Sequence, residues 1–456
     1  MKIRFIQPTQ LDETGTAVKY KKLFMPFVTT ATLAGLTPDG IDVAITEEHV
    51  EDVDFEEDVD LVAVTAQTNQ APRAYQIGDA FRERGKPTIL GGIHASMCSD
   101  EALEHFDAIV IGEAEDIWET VVADAKAGNL KRVYEASAKP DLARSCVPRF
   151  DLLDFRQYVI PPFARTPLIP IQTSRGCPNR CEFCSVAAFL GNRIRRKPVA
   201  NVMREIEAVR PSRVFFTDDN LTASPSYARE LFEALKALRL RWACQMSTQI
   251  IKFPDLIDRA AEAGCHETFI GVESLNPRSL EAVDKSFNKV ERYAELFARL
   301  KKVGILPQVS LMFGLDGDTP ESLRRTIDTF MHWDINYVYI HIVTPFPGTV
   351  LYDRVKDNGR IFERDWSLYD GTHCVLRPIG LSVQELNEIV WEGYERFYSL
   401  KGAVSRAWRF RREYIKYFPR DFAPEEFFFQ VCIARAVKHR EHPFSLGQRK
   451  WVGHAG

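Results

Sequence analysis

The chain has no run of 18 apolar residues, so nothing in it reads as a membrane-spanning helix. Its opening stretch, MKIRFIQPTQ, is too short and polar for a secretory leader. Excess charge is also missing: the net value is −4 over 456 residues, which gives no reason to expect nucleic acid as a partner. Nor are the cysteines paired. There are nine, an odd number, and three crowd into one short segment. That pattern suits a metal site in a reducing compartment and not a disulfide framework. These absences together predict a cytoplasmic protein. Its length allows two or three domains with sizeable cores.

The crowded segment is Thr173–Ser185, TSRGCPNRCEFCS, which sets Cys177, Cys181 and Cys184 in a C-x3-C-x2-C spacing directly after the apolar run Leu168–Gln172. Thiolates are soft ligands that suit iron–sulfur clusters. A structural zinc site wants four closed ligands, usually as two pairs, and no second pair lies nearby. Three thiolates so close can instead hold three irons of one cubane and leave the fourth iron open. Gly176 and Pro178 supply the bends such a loop needs.

Upstream of that loop, β-rich runs (Ile3–Gln7, Asp42–Thr46, Leu61–Thr65, Thr88–Leu90, Ala108–Ile111) alternate with helical patterns (Phe24–Leu36, Gln70–Arg84, Asp100–His105, Ile117–Ala127). This alternation predicts a doubly wound, Rossmann-like parallel sheet over residues 1–145. Ligands of such sheets sit beyond the carboxyl ends of the strands. The candidates there are Thr65 and Asn69, then Gly91, Gly92 and His94, then Gly112 and Glu113. Small residues at these points let backbone approach a ligand closely. For His94, capping the following helix is a competing role.

A second alternation begins at Leu168. Six strand candidates (Leu168–Gln172, Arg213–Thr217, Trp242–Ser247, Thr268–Val272, Pro307–Phe313, Tyr337–Val343), with helices between them, predict an open (β/α)6 barrel within residues 146–364, behind a Pro- and Arg-rich linker. Chemistry in such barrels gathers at the carboxyl ends of the strands. The cysteine loop follows the first strand directly. The second strand ends in Thr217-Asp218-Asp219-Asn220, the third in Ser247 and Gln249, and the fourth in Gly271-Val272-Glu273-Ser274. Gln308 and Ser310 alternate on the fifth. A carboxylate can accept two hydroxyl hydrogen bonds, so Glu273 suits a ribose diol. Helix capping competes for the aspartates, and a structural polar role competes for Ser247, Gln249, Gln308 and Ser310. The basic run Arg193, Arg195, Arg196, Lys197 could neutralise a cluster, carboxylate or phosphate, or simply be a solvated loop.

The cysteine spacing, with the aromatic Phe183 before the last cysteine, resembles that of the radical S-adenosylmethionine (SAM) superfamily. The resemblance implies a 4Fe–4S cluster on Cys177, Cys181 and Cys184, with SAM on the open iron. It further implies SAM contacts at Thr217, Asp218 and Asp219, where a glycine-rich GGE is usual, and at Glu273. With PTILGGIHAS, DAIVIGEAED and the turn TPFPGT, the chain is similar to the cobalamin-binding-domain subfamily. Cobalamin in the N-terminal domain and methylation of an unactivated carbon are then expected, with a flavodoxin or ferredoxin as electron donor. One departure from cobalamin mutases is the absence of D-x-H-x-x-G, so no side chain is an obvious cobalt ligand. A radical cyclase or coupling enzyme without methyl transfer is the alternative.

Residues 365–456 read as mainly helical. They lack the β-barrel composition with which the methylthiotransferase branch ends. DWSLYDGTHCVLRP (Asp365–Pro378) resembles the same segment in members acting on hopanoids, tetrapyrroles and other lipid-like substrates, and Trp366, Tyr369 and His373 could cover the barrel mouth. In Ser405–Arg420 six Lys/Arg are interleaved with five aromatics. Such a helix suits either peripheral contact with an anionic membrane or docking by its aromatic face.

Overall fold

The computed structural model describes residues 1–159, 166–413, 417 and 422–443. In the N-terminal part, β1 (Lys2–Gln7), α1 (Val28–Leu36), β2 (Asp42–Glu47), β3 (Leu61–Thr65), α2 (Ala71–Glu83), β4 (Thr88–Gly91), α3 (Ile93–Met97), α4 (Ser99–His105), β5 (Ala108–Ile111), α5 (Trp118–Lys126) and β6 (Val133–Glu135) follow in turn. The six strands are parallel in the order β2-β1-β3-β4-β5-β6. The order reverses between β1 and β3, which opens a crevice at the carboxyl ends. Side chains alternate between faces: Ala63, Ile89 and Val110 join one buried cluster, while Val62, Leu90 and Ile109 join another. Burial on both faces is why these strands read as continuous apolar runs. The short β6 gave no such run because it is an edge, with Val133 exposed. Helix α1 starts later than its apolar pattern suggests, since Pro26 disfavours helix in the residue before it.

The second sheet comprises β7 (Ile169–Ile171), β10 (Arg213–Phe216), β11 (Arg241–Met246), β12 (Cys265–Glu273), β13 (Leu306–Phe313) and β14 (Tyr337–Ile342), all parallel and in sequential order. Between β7 and β10 lie a two-residue antiparallel ribbon, β8 (Ser174–Arg175) with β9 (Arg195–Arg196), as well as α6 (Ser185–Phe189) and α7 (Val199–Val209). Helices α8 (Pro225–Lys236), α9 (Pro254–Glu262), α10 (Pro277–Glu281), α11 (Tyr293–Lys302) and α12 (Pro320–His332) cover the outside. Outward residues such as Val214, Cys244, Ile270, Leu311 and Ile340 are buried under these helices. Inward ones, including Gln245, Phe269 and His341, keep partial exposure because the barrel is open between β7 and β14.

The chain ends in α13 (Val350–Asp357), α14 (Val383–Phe397), α15 (Leu400–Glu413) and α16 (Phe422–Lys438). Tyr394 of α14 and Tyr398, which caps its end, clamp β14: their hydroxyls bond the Ile340 and Val338 backbone at 2.8 to 3.0 Å. One apolar cluster runs from Ile3 and Phe5 through Phe150 to the barrel and α14. Among the described residues no helix is long and apolar enough to cross a membrane.

Candidate functional site

Gly176 makes the turn into the cysteine loop at φ +86°, where an added Cβ would stand 2.5 Å from the Arg193 carbonyl. Only glycine fits there. Beyond it Cys181 is buried, and Cys177 and Cys184 are partly exposed. The Cys184 amide donates to the Cys181 carbonyl at 3.0 Å. The sole set of three described His, Cys, Asp or Glu residues whose ligand atoms all lie within 4.8 Å of one another is His94, Cys98 and Glu101. The three loop thiols are thus splayed more widely. Three thiols and no fourth cysteine in the loop suit a cubane that keeps one iron open. Burial pushes Cys181 up to about 12 and also raises Cys177 and Cys184. Metal ligation must therefore supply the drive to thiolate.

The paired aspartates divide. Asp218 is fully buried and accepts the Thr173 amide (3.0 Å), the Thr173 hydroxyl (2.7 Å) and the Ser174 hydroxyl. It anchors the start of the cysteine loop, and no part of it reaches the barrel mouth. Asp219, the next residue, is partly exposed and accepts a bond from the Gly176 amide. Burial, then the charge of Asp218, pushes its carboxyl up to about 6. Thr217 is also partly exposed, on the inward side. Asn220 receives the Ser247 amide at 3.2 Å, which sets Ser247 at the end of β11.

Glu273 sits at the β-bulge where β12 slips against β13, at φ +65°. A non-glycine residue held in the left-handed region stores strain, as functional sites commonly do. Its Oε1 accepts Lys285 Nζ at 2.6 Å, and Ser310 Oγ lies 3.4 Å from Oε2. Lys285 is itself buried, over the rings of Phe183 (5.4 Å) and Phe287 (5.9 Å). Burial works to lower the lysine, but the charge of Glu273 and its hydrogen bond lead the opposing effects and raise it. Sequence reasoning missed Lys285, although one lysine twelve residues after Glu273 carries no local signal. Gln308 stands one layer deeper than the mouth. Its Nε2 donates to Glu267 (3.1 Å) and its Oε1 accepts the Tyr339 hydroxyl (3.0 Å), which is the structural polar role that competes with cofactor contact.

At the other sheet, Thr65, Asn69, Gly91, Gly92, Gly112 and Glu113 all line one cavity of about 520 Å³. Gly92 has φ +94°, and a Cβ there would come 2.7 Å from the Ala66 carbonyl. Gln172, Arg175, Ser185 and Phe189 from the cysteine-loop side close the cavity, together with Phe346, Tyr369 and Asp370. No described histidine lines it. His94 is turned away and fully buried, with Nε2 2.7 Å from the Tyr75 hydroxyl and its ring edge-on to Trp366, which removes it as a ligand contact. The described residues that line the cavity would fit cobalamin held by shape and close backbone approach.

Glu113 does face the cavity, yet its carboxylate is engaged across the two sheets. Arg175 reaches it at 2.6 Å, Arg195 at 2.6 Å and Lys139 at 3.6 Å, and Arg175 also pairs with Glu115. Burial would raise Glu113, but the two arginines hold it below the usual carboxylate range. Arg175 lies two residues before Cys177, so this network fixes the cysteine loop against the first sheet. Of the remaining basic run, Lys197 forms a buried pair with Glu205 at 2.9 Å. Trp366 donates to Glu101 at 2.9 Å, and the Ile342 amide at the end of β14 donates to the Gly371 carbonyl at 2.7 Å, so the 365–373 segment straps the two sheets at the cavity's edge, with His373 paired to Asp370 within it at 3.0 Å.

A fold of this kind, with a cluster loop at a barrel strand end facing a glycine-lined crevice, defines a class, and sequence comparison agrees. The radical SAM superfamily model matches residues 171–330, and the B12-binding domain model matches residues 29–122. The chain is 34% identical over 72% of its length to the bacteriochlorophyllide d C-12(1)-methyltransferase of Chlorobaculum tepidum, covering 72% of that protein. It is 30% identical over 82% of its length to the bacteriochlorophyllide d C-8(2)-methyltransferase of the same organism, covering 86% of it. The solved structure of the cobalamin-dependent SAM radical enzyme OxsB, with aqua-cobalamin and SAM bound, shares the fold. Its TM-score is 0.67 at 12% identity, over 95% of this chain and 72% of that one. The chain belongs to the cobalamin-binding branch of the radical SAM superfamily. It is a radical SAM enzyme whose cofactors are a 4Fe–4S cluster, SAM and cobalamin.

Proposed function

We propose that the protein is a C-methylase that places a methyl group on an unactivated carbon of an apolar, tetrapyrrole-like substrate. One observation carries this reading: the glycine-rich strand ends of the first sheet and the cysteine-loop side of the barrel line a single cavity. The names of the two methyltransferase relatives support the reaction class and the substrate class.

When bound, the cluster with SAM supplies a 5′-deoxyadenosyl radical able to take hydrogen from carbon, and cobalamin supplies the methyl group. The chain's own part is to hold and orient. Cys177, Cys181 and Cys184 hold the cluster. Asp219, with Thr217 and Ser247 near the same barrel mouth, would hold the SAM amino group. Glu273, oriented by Lys285, accepts the ribose hydroxyls. Thr65, Asn69, Gly91, Gly92 and Gly112 cradle the corrin. Glu113, Arg175 and Arg195 fix the distance between the two cofactor regions, since a small misplacement costs much in rate. Tyr369 and Phe346 exclude water from the shared space. A flavodoxin or ferredoxin supplies the electron.

The experiment is anaerobic incubation of the reconstituted protein with SAM and a panel of chlorin substrates, read by mass spectrometry. A product heavier by one CH2 supports methylation. A product lighter by two hydrogens would move the assignment to an oxidative cyclase.

A further inference from the structure

No described residue of the α15–α16 hairpin lines the cofactor cavity. The buried face of α15 is Ala403, Arg406 and Phe410. Arg406 donates to Gln430 at 2.9 Å and to the Phe397 carbonyl, while Arg409 pairs with Asp334 at 2.6 Å. Two cations of the basic aromatic segment are therefore turned inward. Tyr414, Lys416, Phe418 and Arg420 lie outside the described residues.

The opposite face is different. Leu400, Val404 and Trp408 are 53%, 55% and 62% exposed. Their spacing of four residues puts them in one stripe, roughly 12 Å long. Scattered exposed apolar residues are normal, but three in line are not. Arg411 and Arg412, also exposed, continue that face, and Arg412 stacks on the Trp408 ring at 4.9 Å. Lys401 flanks its start and is exposed. Residues 400–412 contain five cations and no acid, in a chain whose net charge is −4. A second copy of this chain is a poor occupant, because a two-fold contact would bring these cations against themselves. Phosphate headgroups complement them.

We propose that α15 is a membrane-surface docking helix. Leu400, Val404 and Trp408 enter the headgroup region of a bilayer containing anionic lipid, while Lys401, Arg411 and Arg412 meet the phosphates. The docking stands apart from the methylase reading and can fail or hold without it. It would set the barrel beside the phase in which apolar substrates partition.

The test is flotation of the full-length, cofactor-loaded protein with vesicles of phosphatidylcholine, with or without phosphatidylglycerol. The parent should partition about a hundredfold more strongly onto the anionic vesicles, at roughly fivefold for each of the three cations. Val404→Glu/Trp408→Glu should weaken that partition at least about tenfold. Arg411→Glu/Arg412→Glu should abolish the preference for anionic lipid. Both pairs are exposed, so circular dichroism and SAM cleavage in solution should match the parent. Either pair alone suffices if the other fails to fold. Parent protein that ignores anionic vesicles, or variants that float as well as the parent, would overturn the proposal. So would a parent dimer that becomes monomeric in Val404→Glu/Trp408→Glu without vesicles, since the face would then join copies of the chain.

Discussion

At the carboxyl ends of its strands the N-terminal sheet presents Gly91, Gly92 and Gly112, whereas the barrel presents three thiols and the carboxylates of Asp219 and Glu273. The first sheet receives a ligand by withholding side chains, and the second by converging them. Gln172, Arg175 and Ser185, which flank the cysteine loop, close the cavity of the first sheet, and the Glu113–Arg175 pair ties that loop to it. A defect in the barrel should therefore remove chemistry outright. A defect in the first sheet or in the pairing should remove only the transfer that depends on both.

The largest effect belongs to the thiols. Alanine at any one of Cys177, Cys181 or Cys184 should leave almost no iron on the protein and no SAM cleavage, while alanine at the other six cysteines should leave both. Iron analysis and 5′-deoxyadenosine assay check this. Retention of a full cluster in all three variants would break the contrast between the sheets.

Next come the neighbouring aspartates. Asp218→Asn weakens a buried anchor of three hydrogen bonds and should cost about 2–3 kcal/mol of stability, with loss of iron. Asp219→Asn should keep the iron but weaken SAM by about 2 kcal/mol, roughly thirtyfold in Kd. Calorimetric titration and melting curves separate the two outcomes.

These two residues also mark where sequence reading stops. The cysteine spacing and both strand–helix alternations are legible because they are local. Which of two adjacent carboxylates turns inward is not, since neighbours on a strand end point to opposite sides. Ile93 and His94 open helix α3, where neighbours stand about 100° apart, so Ile93 lines the cavity while His94 is buried beneath it against Tyr75. Glu113 was legible as a strand-end residue, but its partners Arg175 and Arg195 lie 62 and 82 positions away. Such a pairing exists only once the two sheets meet. Lys285 meets Glu273 inside the barrel, twelve residues away, and carried no local signal.

The bridge between the sheets should show a smaller effect. Arg175→Ala should cost about 2 kcal/mol, less than a fully isolated buried pair because Arg195 and Lys139 still face Glu113. The Glu113→Ala/Arg175→Ala double variant should cost less than the sum of the single changes, as a double-mutant cycle would record. SAM cleavage should persist while methyl transfer falls further than cleavage does.

The smallest effect is a pH dependence confined to the first sheet. Burial, acting against bonds from the Phe27 amide and the Tyr158 hydroxyl, pushes Glu47 up to about 7. A carboxyl raised in the folded state stabilises fully below its unfolded value, and that contribution is lost as pH rises through about 7. Glu47→Gln should therefore flatten the fall in melting temperature between pH 5 and pH 8, by about 1–2 kcal/mol at the upper end. A variant whose pH profile matches the parent would locate the dependence elsewhere.

The central claim is that the glycine-lined crevice holds cobalamin beside the cluster. Gly91→Trp tests it most directly, because a Cβ there meets nothing closer than 3.9 Å and the added ring is directed at the cavity that Gly91 lines. After reconstitution with hydroxocobalamin and desalting, the parent should retain close to one cobalt per chain. Gly91→Trp should retain almost none, with its iron content unchanged. Equal cobalt in the two proteins, or none in a parent that still cleaves SAM, would contradict the account.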